Sequence, residues 1–212
     1  MDYYFYVLFT LMYVILLLTG LIKQRELRLT SFLYVVIVGL IIDNAVIALG
    51  NYIGEGNLLE QLHMGRYWIH AIITPTLILF CLGLLQRVGS KKWSSNIAWC
   101  IAILLTCILI LIEVIAVVLH IELKPLAEYG ILHYVPVREP GGAAVMIIAI
   151  SSILLLTGFL LYRIAKWKWM LLGTLIMAIG SVIPFNIEST AFINGMELLL
   201  MISLVATDVK IR

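Results

Sequence analysis

The chain has 212 residues, 63% of them hydrophobic and 12% charged, with a formal net charge of +2. A soluble domain carries about 25% charged residues, so this composition excludes an ordinary soluble fold. The small net charge gives no reason to expect a nucleic-acid partner.

Apolar stretches of roughly 17 to 25 residues, enough to cross a bilayer as helix, recur along the chain. Seven are expected, over 3–22, 31–53, 67–87, 94–120, 143–162, 169–186 and 190–208. The fold class is therefore all-α: an integral membrane protein, one seven-transmembrane-helix bundle occupying 1–212. Membrane lipids are its expected surroundings.

Span 1 opens with "MDYYFYVLF", which lacks a basic n-region, so it is expected to stay as a helix rather than be cleaved. Tyr3, Tyr4 and Tyr6 suit an interface. Span 2 contains "GLIIDNAVIALGNYIG", with Asp43, Asn44 and Asn51 set into apolar sequence. An ionised side chain at mid-bilayer costs at least ~3 kcal/mol on insertion scales, which makes Asp43 a functional candidate. Gly39, Asp43, Gly50 and Gly54 fall on one stripe, where a neighbouring backbone can approach closely.

Arg66, His70 and Thr74 follow at intervals of four across the start of span 3, just before Pro75, with Tyr67 and Trp68 as interface anchors. Span 4 places Glu113 in "LLTCILILIEVIAVVLH", with Thr106, Glu113 and His120 spaced at sevens. Cys81, Cys100 and Cys107 lie within spans 3 and 4, too few and too buried for a disulfide framework. The connection 121–142 carries three prolines and is long enough to be a lid. Asn186 and Glu188 close span 6, and Asn194 and Glu197 start span 7. His120, His133, Glu188 and Asn51 read as solvated rim residues.

Lys23, Arg25, Arg28, Arg87, Lys91, Lys92, Arg163, Lys166, Lys168, Lys210 and Arg212 fall in odd-numbered connections and the C-terminal tail. Arg66, Lys124 and Arg138 fall on the other side. The positive-inside rule then puts the N-terminus outside and the C-terminus in the cytoplasm of a cell-membrane protein. With that frame, nearly every polar group inside the spans lies in the outer half, and the inner half is Leu, Ile, Val and Ala with a few Ser and Thr.

The expected site is an outward polar pocket between spans 2, 3, 4 and 7. Asp43, Glu113, His70 and Glu197 are the candidate catalytic residues, and Asn44, Asn51, Arg66 and Asn194 the candidate substrate-binding ones. Carboxyl groups in unlike surroundings separate into proton donor and acceptor, which suits acid–base chemistry on a lipid or isoprenoid-like, amphipathic substrate. A proton-coupled carrier of a small solute, or a ligand-binding receptor, would use the same residue types. No cofactor is required. Asp43, His70, Glu113 and Glu197 could offer one nitrogen and three oxygens to a divalent ion, but no HxxxH or HExxH spacing supports a metal site. No GxSxG or SxxK motif marks a nucleophile, and Lys210 lies beyond the apolar part of span 7, unlike a retinal Schiff-base lysine.

Overall fold

The computed structural model describes residues 2–24, 26–89, 92–138, 141–183 and 187–212. Arg25, Lys91 and Asn186, which figure in the expectations above, lie outside the described residues. Helices α1 (Asp2–Lys23), α2 (Phe32–Ile53), α3 (Asn57–Ile73), α4 (Leu77–Arg87), α5 (Asn96–Ala116), α6 (Ala143–Ala165), α7 (Trp169–Val182) and α8 (Ala191–Lys210) form the bundle. The 3-10 turn Thr74–Thr76, with Pro75 at its start, joins α3 to α4. Proline removes a helical donor and clashes with the preceding turn, so an otherwise continuous 31-residue element is interrupted there.

Among the described residues, six elements are long and apolar enough to cross a membrane: Asp2–Lys23, Leu29–Ile53, Asn57–Arg87, Asn96–His120, Ala144–Ala165 and Ala191–Lys210. Of the expected sixth span, 169–186, the described part is helical over Trp169–Val182 and apolar over Trp169–Ser181, and 184–186 lie outside the described residues. The expected span 3 starts earlier than its apolar run. Gly54 and Gly56, at φ 78° and 154°, turn the chain, and α3 begins at Asn57. Arg66 is therefore well inside α3 rather than at its start. The hydrophobic run missed this first stretch because its buried face consists of Leu59 and His63 among polar neighbours.

The connection 121–142 holds a β-hairpin where an irregular loop was expected. Strands β1 (Leu123–Glu128) and β2 (Ile131–Pro136) pair antiparallel, Glu128 opposite Ile131 and Leu123 opposite Pro136. Tyr129 and Gly130, both at positive φ (48° and 85°), make the two-residue turn that matches strand twist. Tyr-Gly is not the Asn-Gly pair that announces such turns in sequence.

The hairpin is fastened to the bundle end. A Cβ on Gly50 would fall 1.8 Å from the Leu132 carbonyl oxygen, so only glycine lets β2 lie on α2 there. Asn51 Nδ2 donates to the Gly130 carbonyl at 2.7 Å, and the Asp2 amide donates to the Tyr129 carbonyl at 3.1 Å. Asp2 also accepts at Oδ2 from the Thr190 amide at 2.7 Å and from the hydroxyls of Thr190 and Ser189. A carboxylate at a helix N-terminus satisfies orphan donors and the macrodipole, and here α1 supplies it to α8.

At the opposite end, Asp208 on α8 is fully buried. Arg87 Nη1 reaches its Oδ1 at 2.6 Å, while Arg212 Nη2 and the Tyr34 hydroxyl each donate to Oδ2 at 2.7 Å. The expectation of an almost wholly apolar inner half missed this cluster, because Asp208 stands at the end of an apolar run and its partners come from α2, α4 and the C-terminal tail. Between the two ends, Tyr13, Leu33, Ile37, Phe80, Leu84 and Leu204 make a close-packed core.

Candidate functional site

A cavity of about 410 Å³ lies among α2, α3, α5, α6, α7 and α8. Its polar wall includes Asp43, Arg66, Tyr67, His70, Glu113 and Glu197, and its apolar wall is largely Met, Ile and Leu from α6 and α8. Pro136 from the foot of the hairpin lines it too. The small-residue stripe on α2 sets the geometry: a Cβ on Gly39 would meet Ile73 Cδ1 at 2.0 Å and Ile69 Cγ2 at 2.9 Å. That close approach lays the Arg66–His70–Thr74 face of α3 over Asp43, one turn along.

Asp43 is buried and accepts from Arg66 Nε at 2.8 Å. Arg66 Nη1 also contacts His63 Nδ1 at 2.6 Å, so His63 accepts at that nitrogen and is neutral. His70 Nε2 stands 4.0 Å from Asp43 Oδ1, and its Nδ1 lies 3.2 Å from the Thr74 hydroxyl. The first distance exceeds a direct hydrogen bond, so His70 Nε2 is not bonded to that carboxylate.

Glu113, on α5, is buried, and its Oε2 has no hydrogen-bond partner. Glu197, on α8, faces the cavity from the other side. Asp43 thus has a permanent cation at hydrogen-bond distance, whereas Glu113 has none within ion-pair reach among the described residues. The same side-chain chemistry occurs in two different electrostatic surroundings, the arrangement that separates donor from acceptor.

Six of the eight candidate residues read from sequence line this cavity: Asp43, Arg66, His70, Glu113, Asn194 and Glu197. Asn44 stands behind it, fully buried, donating to the Leu40 carbonyl at 2.8 Å and accepting from Asn194 at 3.4 Å. Asn51 is outside it and holds the hairpin turn. His133, expected on a solvated rim, is instead buried under the hairpin, its ring 6.5 Å from that of His63. His120 leaves the Thr106–Glu113 stripe, because the helix ends at Ala116 and a 3-10 turn carries His120 outward to the Ile115 carbonyl.

Tyr67, Ser151 and Ser181 also line the cavity and were not read as site residues. Tyr67 carries the same signal as any interfacial tyrosine, and single serines in apolar helices have no periodic signature. Among the described residues, no group of three or more His, Cys, Asp and Glu is placed to hold a metal ion. Asp43, His70, Glu113 and Glu197 share the cavity without converging on one point.

Comparison with models of known protein families finds no match, and comparison with curated proteins finds no similar chain. Fold and site alone therefore define the class: an apolar helical bundle, compatible with a membrane, with a carboxyl-lined cavity beside a capping hairpin.

Proposed function

We propose that the protein spans a cell membrane seven times, N-terminus outside, and performs acid–base chemistry on a lipid or isoprenoid-like substrate held in the α2–α8 cavity. Orientation follows from the charge pattern. Lys23, Arg28, Arg87, Lys168, Lys210 and Arg212 lie at helix ends away from the hairpin or in the connections there. In that frame α7 is counted as the sixth crossing, and the cavity lies in the outer half of the bilayer.

The observation that carries the chemistry is the contrast between Asp43 and Glu113 across one apolar-walled space. A carboxyl without a cation beside it costs least when neutral, so Glu113 is the proton donor. Asp43, balanced by Arg66, is the acceptor or stabilises developing positive charge. Arg66, His70 and Asn194 orient the polar end of the substrate, and the Met- and Ile-rich wall receives its hydrocarbon part. Protonation of an alkene or epoxide fits this set.

A carrier would need a polar route to the far end, where the Arg87–Asp208–Arg212 cluster and the surrounding Leu, Ile and Phe side chains close the bundle. That closure favours an enzyme, which needs access from one side only.

The test is native mass spectrometry of protein purified from its host membrane in mild detergent, with lipid extraction from the same sample. Wild type is expected to retain a stoichiometric neutral lipid that Ser151→Trp, which fills the cavity, excludes. Equal retention by both proteins would refute the cavity as the binding site.

A further inference from the structure

At the end of the bundle away from the hairpin, three concavities share their rims. A basin of about 340 Å³ is lined by Lys23, Gln24, Glu26, Arg28, Arg87 and Arg212. A groove of about 760 Å³ leaves it past Arg28 and Arg87, between Phe32 and Val35 on α2 and Trp99 on α5, floored by Gly83 of α4. A second groove, about 410 Å³, leaves it past Gln24 and Glu26, along Leu17 and Leu21 of α1 and Val35 and Val38 of α2. Leu27, Ser31 and Val35 belong to both grooves.

The geometry points to a binding site for one two-chain anionic phospholipid, its phosphate in the basin and one acyl chain in each groove. In the basin four cations meet Glu26, which pairs with Arg28 at 2.6 Å, and Asp208, which lies behind Arg87 and Arg212. The excess is positive and asks for an anion. Arg87 and Arg212 are pre-positioned by their bonds to Asp208, Thr30 and Tyr34, so little order is lost when a phosphate docks. Two apolar grooves diverging from one basic basin match a diacyl lipid rather than a free anion, which has no use for Phe32, Val35 or Trp99. Charge complementarity at an inner-leaflet surface supplies the remaining attraction. This site depends on the membrane embedding but not on the chemistry assigned to the cavity, from which it is separated by the Leu33, Ile37 and Phe80 core.

The experiment is native mass spectrometry in detergent with added dioleoyl phosphatidylglycerol or dioleoyl phosphatidylcholine. Wild type is expected to keep one phosphatidylglycerol in preference to phosphatidylcholine. Lys23→Gln combined with Arg28→Gln, both exposed and away from the Asp208 cluster, should weaken retention roughly thirty-fold, as expected for two cations removed beside an anionic headgroup. Val35→Trp, at an exposed position, should block both grooves and abolish retention with the basin intact. Equal retention of the two lipids, or unchanged retention in both variants, would overturn the site. Displacement of the lipid by millimolar inorganic phosphate would overturn the diacyl assignment and leave an anion site. A cavity ligand that survives these variants while phosphatidylglycerol is lost separates this site from the one between α2 and α8.

Discussion

Asp43 and Glu113 differ in what stands next to them, and that difference predicts opposite consequences for stability. Asp43→Asn leaves the half-buried Arg66 without its counter-charge, and breaking such a pair costs about 3 kcal/mol. Unfolding in mixed micelles should show that loss, together with loss of ligand. Glu113→Gln removes a carboxyl that has an unpartnered oxygen and offers an amide donor in the same volume. Its unfolding midpoint should stay at or above wild type while turnover is lost. A Glu113→Gln protein that is both active and destabilised would make the residue structural.

His133 carries the pH dependence outside the spans. Burial pushes its pKa below the ordinary histidine value, nearby Arg66 adds to this, and Asp2 opposes it. Glu128, 3.7 Å from its Nε2, does not reverse the direction. With the folded pKa below the unfolded one of about 6.5, the unfolded state binds more protons in the window beneath that value. Docking stability of the hairpin then rises with pH through that window and is lost on acidification. Hydrogen exchange of the β2 amides, corrected for intrinsic rates, should be faster at pH 5 than at pH 7.5. In His133→Gln the difference should shrink, with His63, whose ring lies 6.5 Å away, left to supply the rest.

At the scale of elements, the hairpin depends on one glycine. Any side chain on Gly50 meets a backbone oxygen, which cannot rotate away. Gly50→Ala should undock β2 and expose Leu132 and Tyr134 to proteolysis between α5 and α6. Gly65→Ala is the control, because a Cβ there meets nothing within 4 Å and should be accommodated without cost.

Elements were unequally legible in sequence. Helices α1, α2, α5, α6 and α8 follow their apolar runs, because lipid-facing and packed positions are alike apolar and length marks the span. The first turns of α3 and the hairpin did not show. α3 begins in polar sequence that becomes half-buried only when β2 lies against it, and β2 is stable only on α2. Each depends on a contact that local pattern does not encode. The cavity residues were more legible, since a buried charge at helical spacing is costly wherever it falls. Asn51 misled because an amide that ties a hairpin and one that binds a ligand look identical in sequence.

Across the whole molecule, polar chemistry concentrates at the two ends of an apolar bundle. One end is open as a cavity beneath the hairpin, and the other is closed by Arg87, Arg212, Tyr34 and Asp208. Asp208→Asn should therefore lower global stability by about 3 kcal/mol without touching the cavity chemistry. Glu26→Gln, at the exposed Arg28 pair, should leave the unfolding midpoint unchanged.

The most direct measurement of the proposed chemistry is untargeted lipid mass spectrometry of host-membrane vesicles incubated in deuterium oxide with wild-type or Glu113→Gln protein. Protonation by Glu113 is expected to change the mass of one lipid species in a solvent-deuterium-dependent way with wild type alone. Identical lipid profiles, from preparations in which both proteins are folded and inserted, would contradict an acid–base role for the cavity.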